Sequence, residues 1–210
     1  MRSKPASEAR RTYRSPRREQ QAAETRSAVL AAAGRLFAER GWSTTGMRAV
    51  AQAAGVAVET VYANFPSKAD LLLAVIDVGV VGDVAPAALA ERPEFTALGV
   101  GNREQRAQAA ARLVTRIQRR SAALHRALRE AAAGDRELAA RMREAEERRR
   151  LSVEQGIGMV AARPLTEQER DGLWAVLAAE IYWLLIELSG WTPEQYESWL
   201  ADTILRLLDD

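Results

Sequence analysis

The sequence predicts an all-α protein, and three observations lead to this fold class. Ala, Leu, Arg and Glu dominate the 210 residues, and clusters of β-branched residues are few, as expected of helices. Apolar residues recur at a spacing of three or four along most of the chain, which is the helical period. Gly, Pro and capping residues separate these segments. We expect two helical units, of about sixty and about one hundred and thirty residues, each with its own core.

The chain opens with a strongly basic segment. Residues 1–18 contain seven Arg and Lys side chains and one Glu, a net charge of +6, so the remaining chain carries −4 because the total is +2. The segment contains Pro5 and Pro16 and lacks apolar periodicity, so we predict a disordered arm over residues 1–22. Such an arm could follow nucleic-acid phosphates or enter a minor groove, or it could only improve solubility.

A first helix is predicted to end at Gly41, which can adopt the left-handed conformation without a Cβ penalty. Thr45 is the expected N-cap of the next helix. That helix is amphipathic, and its apolar positions are Met47, Val50, Ala51 and Ala54.

Gly55 is predicted to end this second helix. The turn Gly55-Val56-Ala57 is short enough to set a third helix, Val58 to Ala63, steeply across the second, with Val56 and Val61 in the core between them. A helix pair of this kind presents its second helix to a DNA major groove. Ser67 is then expected to cap a fourth helix, with Asp70 three residues later.

Ordered motifs surround this helix pair, and together they resemble one family. They are the entry helix 25–41, Val50-Ala51, Ala54-Gly55-Val56, Thr60-Val61-Tyr62, Phe65 and Ser67-Lys68. From about Thr25 to Val81, the chain resembles the N-terminal DNA-binding domain of the TetR family of transcriptional regulators. The resemblance implies a helix-turn-helix DNA-binding domain at 23–83 and an effector-binding and dimerisation domain at 84–210.

Three positions depart from the family pattern. Ala57 stands where the family often has Ser, Glu59 where it often has Gly, and Asn64 where it often has His. Base readout therefore stays open, because Val58 offers only apolar contact, for example to a thymine methyl. Glu59 could accept from a cytosine amine or face solvent.

The residues expected to contact DNA lie on both helices and at the corner that follows them. The resemblance implies phosphate contacts by Tyr62 and Lys68 above all, while Arg48 could equally be a solvated surface charge. The complete set is Thr45, Gly46, Arg48, Ala57, Val58, Glu59, Thr60, Tyr62, Asn64 and Lys68.

Capping patterns divide the remainder of the chain into four long helices. Asn102 with Gln105 begins a helix over 103–133, and Asp135 begins the next over 136–160. Thr166 with Glu169 begins a helix that runs to Ser189, and Thr192, Pro193 and Gln195 begin the last one. On the helix over 103–133, an arginine face is expected to be solvated rather than an anion site; it consists of Arg112, Arg116 and Arg119.

The last two helices are strongly amphipathic and would leave apolar surface on a single subunit. A two-fold partner could bury this surface in a four-helix bundle, and the resemblance implies the same. We therefore expect a homodimer that binds a palindromic operator. The predicted interface residues are Leu177, Ile181, Leu184, Leu188, Tyr196, Trp199, Leu200, Thr203 and Leu207.

The resemblance also implies a small, often apolar effector that binds among the middle helices and releases the DNA. The lining candidates are Leu113, Ile117, His125, Leu128, Met142, Met159, Trp174 and Trp183. Each also fits an ordinary core position, and His125 could instead lie on the surface. No charged cluster in these helices indicates a ligand class.

Other classes of protein are poorly supported by the residues. There is no cysteine and only one histidine, and no glycine-rich phosphate loop or metal-ligand spacing occurs, so we expect no enzyme activity, cofactor or metal site. The opening is charged, and no apolar run reaches about eighteen residues, so we expect a cytoplasmic protein without membrane contact. The resemblance implies a dimeric repressor that a small effector releases from its operator, and two alternatives remain: an activator of the same fold, and a helical interaction module without sequence-specific DNA binding.

Overall fold

The computed structural model describes residues 16–83 and 88–208. The predicted all-α fold class is confirmed, since these residues form helices and turns without a strand. The N-terminal helices are α1 (Pro16–Arg40), α2 (Met47–Ala54), α3 (Val58–Asn64) and α4 (Lys68–Val81). The short α5 (Pro93–Thr96) lies between two 3₁₀ turns, Leu89–Glu91 and Ala97–Gly99. The C-terminal helices are α6 (Arg103–Ala133), α7 (Arg136–Ala161), α8 (Glu167–Val176), α9 (Ala179–Trp183) and α10 (Pro193–Leu207).

The helix-turn-helix forms where the sequence predicts it. Gly41 and Gly55 have φ values of +75° and +68° and end α1 and α2 in the left-handed conformation. Ser67 caps α4, because its hydroxyl accepts from the Asp70 N–H. Helices α1 to α4 pack on a common core, to which they contribute Val29, Ala33, Phe37, Val50, Val61, Leu71 and Leu72.

The predicted disorder of residues 16–22 is wrong, because α1 already begins at Pro16. Residues 17–24 are exposed, and most are good helix formers, so they extend a helix that the buried turns after Val29 have already nucleated. The remainder of the predicted arm, residues 1–15, lies outside the described residues.

The predicted capping role of Thr45 is also wrong. The N-cap of α2 is Gly46, without a side-chain hydrogen bond. Thr45 is only 1% exposed, and its hydroxyl lies 3.1 Å from the Leu36 carbonyl oxygen and 2.8 Å from that of Gly41. The hydroxyl therefore ties the turn back to α1.

Helix α6 is shared between two cores. Its first half joins α10 and the segment around Phe95 in a second core, through Ala107, Ala110, Ala111 and Leu113. Its second half packs with α1 and α4 in the N-terminal core, through Leu124, Ala127, Leu128 and Ala131. The N-terminal core is thus completed by a helix from the other predicted domain.

The caps predicted for the C-terminal half are confirmed at α6, α7, α8 and α10. The single helix predicted to run to Ser189 is wrong, however. Helix α8 ends at Val176, Ala178 is extended, and a π-helical turn over Leu184–Leu188 follows α9. Gln118 Nε2 donates to the Leu177 carbonyl oxygen at 3.0 Å, which satisfies an acceptor that the break leaves without a helical partner.

None of the helices in the described ranges is both long and apolar enough to cross a membrane.

Candidate nucleic-acid interface and effector cavity

Helix α3 leaves most of its side chains accessible, because Val61 is its one buried residue and Val58 only partly packs against the same core. Val61 is fully buried in the N-terminal core, while Glu59 and Tyr62 are exposed and Val58 and Thr60 are half-buried. Tyr62, with 51% of its surface exposed, is a large aromatic side chain that the fold leaves uncovered. The predicted contact residues of α3 are therefore exposed or half-buried, and Ala57 is exposed at its start.

The end of α3 is tied to α1 by a residue that sequence reasoning missed. Arg26 Nη1 donates to the Asn64 carbonyl oxygen at 3.4 Å, and its guanidinium lies 4.3 Å from the centre of the Phe65 ring. The Asn64 side chain donates to the Thr60 carbonyl oxygen at 2.9 Å. Asn64 therefore caps its own helix, and Arg26 adds a positive charge beside the recognition helix.

On α2 the predicted residues divide by exposure. Gly46 and Arg48 are exposed at the start of the helix, where the backbone N–H groups lack a side-chain cap. Such N–H groups suit a phosphate oxygen. Thr45, by contrast, is buried, so its side chain does not reach this surface.

Lys68 is held within the protein. Its Nζ donates to the Trp42 carbonyl oxygen and lies 4.0 Å from the centre of the Trp42 ring. Burial lowers the pKa of Lys68, and the nearby Glu130 carboxylate opposes this change. Lys68 thus fixes the turn between α1 and α2, a role that the phosphate prediction did not include.

The same turn is held from α6 by Glu130. Its two carboxylate oxygens accept from the backbone N–H groups of Trp42 and Ser43, each at 3.0 Å. A hydrogen bond from the Ser43 side chain, followed by those from the Trp42 and Ser43 backbone N–H groups, lowers the pKa of Glu130. No local signal could have indicated this contact, because 87 residues separate Glu130 from Ser43.

Two further contacts join the C-terminal helices to α4. Arg141 on α7 pairs with Asp70 at 2.9 Å, and Arg120 Nε on α6 donates to the Gly79 carbonyl oxygen at 3.0 Å. Together with Glu130, they connect the helices around the second core to the helix-turn-helix.

A cavity of about 370 Å³ lies among α6, α7, α8 and α9. Two of the predicted lining residues, Met142 and Trp174, line it. Leu113 and Leu128 are instead buried in the two cores, while Ile117 and Met159 pack beside the second core. The cavity is lined by Arg129, Met142, Glu146, Arg149, Trp174, Ala175, Ala178, Glu180 and Ile181; neither Ile117, Met159 nor Trp183 is among them.

The expectation that no charged cluster marks these helices is wrong. Arg149 Nε bonds Glu146 at 2.8 Å, and its two terminal nitrogens donate to the Trp174 carbonyl oxygen at 3.2 and 3.3 Å. Arg129 forms an ion pair with Glu180 on α9. The cluster escaped prediction because the four side chains come from three separate helices, and the charge-rich centre of α7 was interpreted as solvated.

His125 lies beside this cluster rather than free on the surface. It is half-buried, and burial lowers its pKa to about 4, while Glu146 raises the pKa and Arg129 and Arg149 lower it. The imidazole is therefore uncharged at neutral pH.

The predicted dimer-interface residues separate into two groups. Leu177, Tyr196 and Leu200 are buried in the second core of their own chain, so these three interface assignments are wrong. The strict spacing of apolar residues did not distinguish the inner face of α10 from its outer face. The accessible group consists of the exposed Leu184 and Leu188 and the half-buried Ile181, Trp199, Thr203 and Leu207.

Comparison with known proteins gives a consistent result. The sequence model described as "Bacterial regulatory proteins, tetR family" matches residues 29–75, whereas no curated protein matches the chain. A TetR-family transcriptional regulator from Mesorhizobium loti is similar in structure, with a TM-score of 0.62 and 18% identity over 90% of this chain and 97% of the other.

Two other solved structures support the same fold. A transcriptional regulator from Rhodococcus sp. RHA1 has a TM-score of 0.60 and 18% identity, with 88% of this chain and 96% of that chain covered. NalD of Pseudomonas aeruginosa, the secondary repressor of the MexAB-OprM multidrug efflux pump, has a TM-score of 0.56 and 24% identity, with coverage of 88% and 96%.

The helix-turn-helix, completed by a helical C-terminal half, gives this chain the all-α fold of these solved regulators. The resemblance to the TetR family is confirmed over the helix-turn-helix, because the family model matches residues 29–75, and the whole chain has the fold of solved TetR-family regulators. Members of this family are DNA-binding regulators rather than enzymes.

Proposed function

We propose that this chain is a homodimeric transcriptional repressor that leaves a palindromic operator when a small effector binds. The observation that carries the proposal is the exposed face of α3, held outward by the buried Val61 within a domain of the TetR type. NalD, of the same fold, is a repressor, which favours repression over activation for this chain.

Base and phosphate contacts are assigned to the accessible residues only. Val58 and Glu59 begin the recognition helix and are placed to meet base edges. Tyr62, Arg48 and the backbone at Gly46 are placed to contact phosphates, together with Ala57 and Thr60 near the start of α3. Arg26 is added to this set, Thr45 is left out because it is buried, and Lys68 positions the turn.

Dimerisation is assigned to the outer face of the last helices. Leu184 and Leu188 are 43% and 63% exposed and lie one turn apart on the π-helical turn. Together with the outer residues of α10, they form an apolar surface that a second copy can cover by two-fold symmetry. Dimerisation then fixes the distance between two α3 helices, which a palindromic operator requires.

The cavity beside α6 is assigned to the effector. It is within the usual size range of small-molecule sites, and it adjoins the helix that carries Glu130. A ligand that moves this part of α6 would disturb the turn before α2 and thereby the position of α3. A regulator of this kind acts where the DNA is, which in bacteria is the cytoplasm.

The proposal is tested by selecting bound duplexes from a random DNA pool with the full chain. Enrichment of a palindrome is expected, and the variant Glu59→Ala should alter the preferred bases. Unchanged base preference would show that Glu59 faces solvent. Enrichment of no sequence by protein freed of bound small molecules would contradict sequence-specific regulation.

A further inference from the structure

The lining of the effector cavity combines apolar side chains with four charged ones. Met142, Trp174, Ala175, Ala178 and Ile181 supply the wall, which suits a compact apolar body. The two guanidinium groups and two carboxylates of the lining form two ion pairs, and these pairs differ in how firmly they are held.

The pair between Arg149 and Glu146 is fixed. Arg149 bonds the Glu146 carboxylate and, with both terminal nitrogens, the backbone carbonyl of Trp174. Its guanidinium also lies 5.1 Å from the centre of the Trp174 ring. A ligand would have to break several contacts to recruit either member of this pair.

The pair between Arg129 and Glu180 is open to exchange. Arg129 pairs with Glu180 across the cavity lining, and no hydrogen bond to a backbone group of the described residues holds Arg129 as the Trp174 carbonyl holds Arg149. The side chain of Glu180 is 49% exposed and that of Arg129 is 39% exposed, and burial lowers the pKa of Arg129. Glu180, the more exposed of the two, can therefore turn to water at little cost, whereas the partly buried Arg129 guanidinium is stabilised by a negative partner.

The difference in exposure between Glu180 and Arg129 favours a negatively charged ligand over a positively charged one. A carboxylate that replaces Glu180 at Arg129 leaves Glu180 solvated and keeps the guanidinium paired. A cation that takes Glu180 would leave two guanidinium groups, those of Arg129 and Arg149, to share the single carboxylate of Glu146. His125 does not alter the balance, since it is uncharged at neutral pH.

We propose that the cavity takes a small amphipathic carboxylic acid, its carboxylate paired with Arg129 and its apolar body against Trp174, Met142 and Ile181. This inference rests on the proposed effector role of the cavity and names the ligand class. Arg129 is then the residue that determines specificity for an acid over the corresponding alcohol or amine.

The test is isothermal titration of the full chain at pH 7 with octanoate, benzoate, 1-octanol and octylammonium. At least one carboxylate should bind about tenfold or more tightly than the alcohol and the ammonium ion, as a charge-assisted bidentate contact would give. Arg129→Met should abolish this preference. Arg116→Met, which removes an exposed arginine from the same helix, is the matched control and should leave it unchanged.

Glu180→Gln keeps the result independent of whether the Arg129 variant folds. Removing the competing carboxylate should tighten carboxylate binding several-fold, a gain that misfolding cannot produce. Preference for the ammonium ion or the alcohol, carboxylate binding that survives Arg129→Met, or binding of none of the probes would overturn the inference. DNA binding, measured separately on the selected duplex, tests the proposed regulator independently of this outcome.

Discussion

Tyr62 and Val61 are neighbours on α3, but the side chain of Val61 is buried in the core and that of Tyr62 is exposed. Val61 is fully buried and Tyr62 is half-exposed, so one holds α3 and the other faces outward. Helical periodicity predicts such an alternation. It did not predict Arg26 or Glu130, whose contacts with the helix-turn-helix depend on residues distant in sequence.

Tyr62→Phe should weaken DNA binding roughly 3-fold to 10-fold, the loss expected for one hydrogen bond to a phosphate. The weakening should be similar for every DNA sequence, because phosphate contacts carry no direct base information. Fluorescence anisotropy with the selected operator and a scrambled duplex measures both affinities. Leu151→Ala, at an exposed position on α7, should bind like the wild type. Unchanged affinity of Tyr62→Phe would show that the hydroxyl makes no such contact.

His125 should make the folded state less stable in mild acid. Its pKa is lowered from 6.5 to about 4 in the folded protein, so between these values the unfolded chain binds more protons. The free energy of unfolding therefore falls as the pH decreases from 6.5 towards 4. Urea unfolding at several pH values should show this loss, and His125→Gln should reduce it. An identical pH dependence in the variant would contradict the buried, uncharged state of His125.

At the scale of elements, helix ends were predicted well where their cause is local. Asn102 with Gln105, Thr166 with Glu169 and Thr192 with Gln195 each form a capping box, and both partners lie within four residues. The break after Val176 was not predictable in this way, because the donor to the Leu177 carbonyl oxygen is Gln118 on another helix. Thr45 was predicted to cap α2 because its hydroxyl can form a local hydrogen bond. That hydroxyl instead donates to the carbonyl oxygens of Leu36 and Gly41, at the end of the preceding helix.

The turn between α1 and α2 provides an element-scale prediction. Glu130→Gln places an amide where one of the two backbone N–H groups requires an acceptor, so the turn should loosen and the position of α3 should become less defined. DNA affinity and the Tm should both fall. Glu144→Gln, at an exposed position on α7, is the control for loss of one negative charge. A Glu130→Gln variant with full affinity would show that the turn needs no support from α6.

The whole molecule is organised around α6, which contributes to both cores. The sequence predicted this helix to the residue but not its double role, because an amphipathic stripe shows that a face is buried and not which element covers it. For the same reason the apolar stripe of α10 was assigned to a partner chain, although Tyr196 and Leu200 are fully buried within their own chain.

Leu188→Glu should dissociate the proposed dimer, because it places a charge in the apolar interface, where burial is costly. Sedimentation should give a monomer at micromolar concentration for this variant and a dimer for the wild type. Leu151→Glu changes a leucine of similar exposure (66% against 63%) away from the last helices and should remain dimeric. A wild-type monomer would remove both the interface and the operator symmetry.

Two chains together should bind one palindrome through their α3 helices. Sedimentation of the protein with the selected operator, at several salt concentrations, tests it most directly. We predict two chains, or a multiple of two, on each duplex, with an affinity that falls steeply with salt and greatly exceeds that for a scrambled duplex. One chain per duplex, or equal affinity for both duplexes, would contradict it.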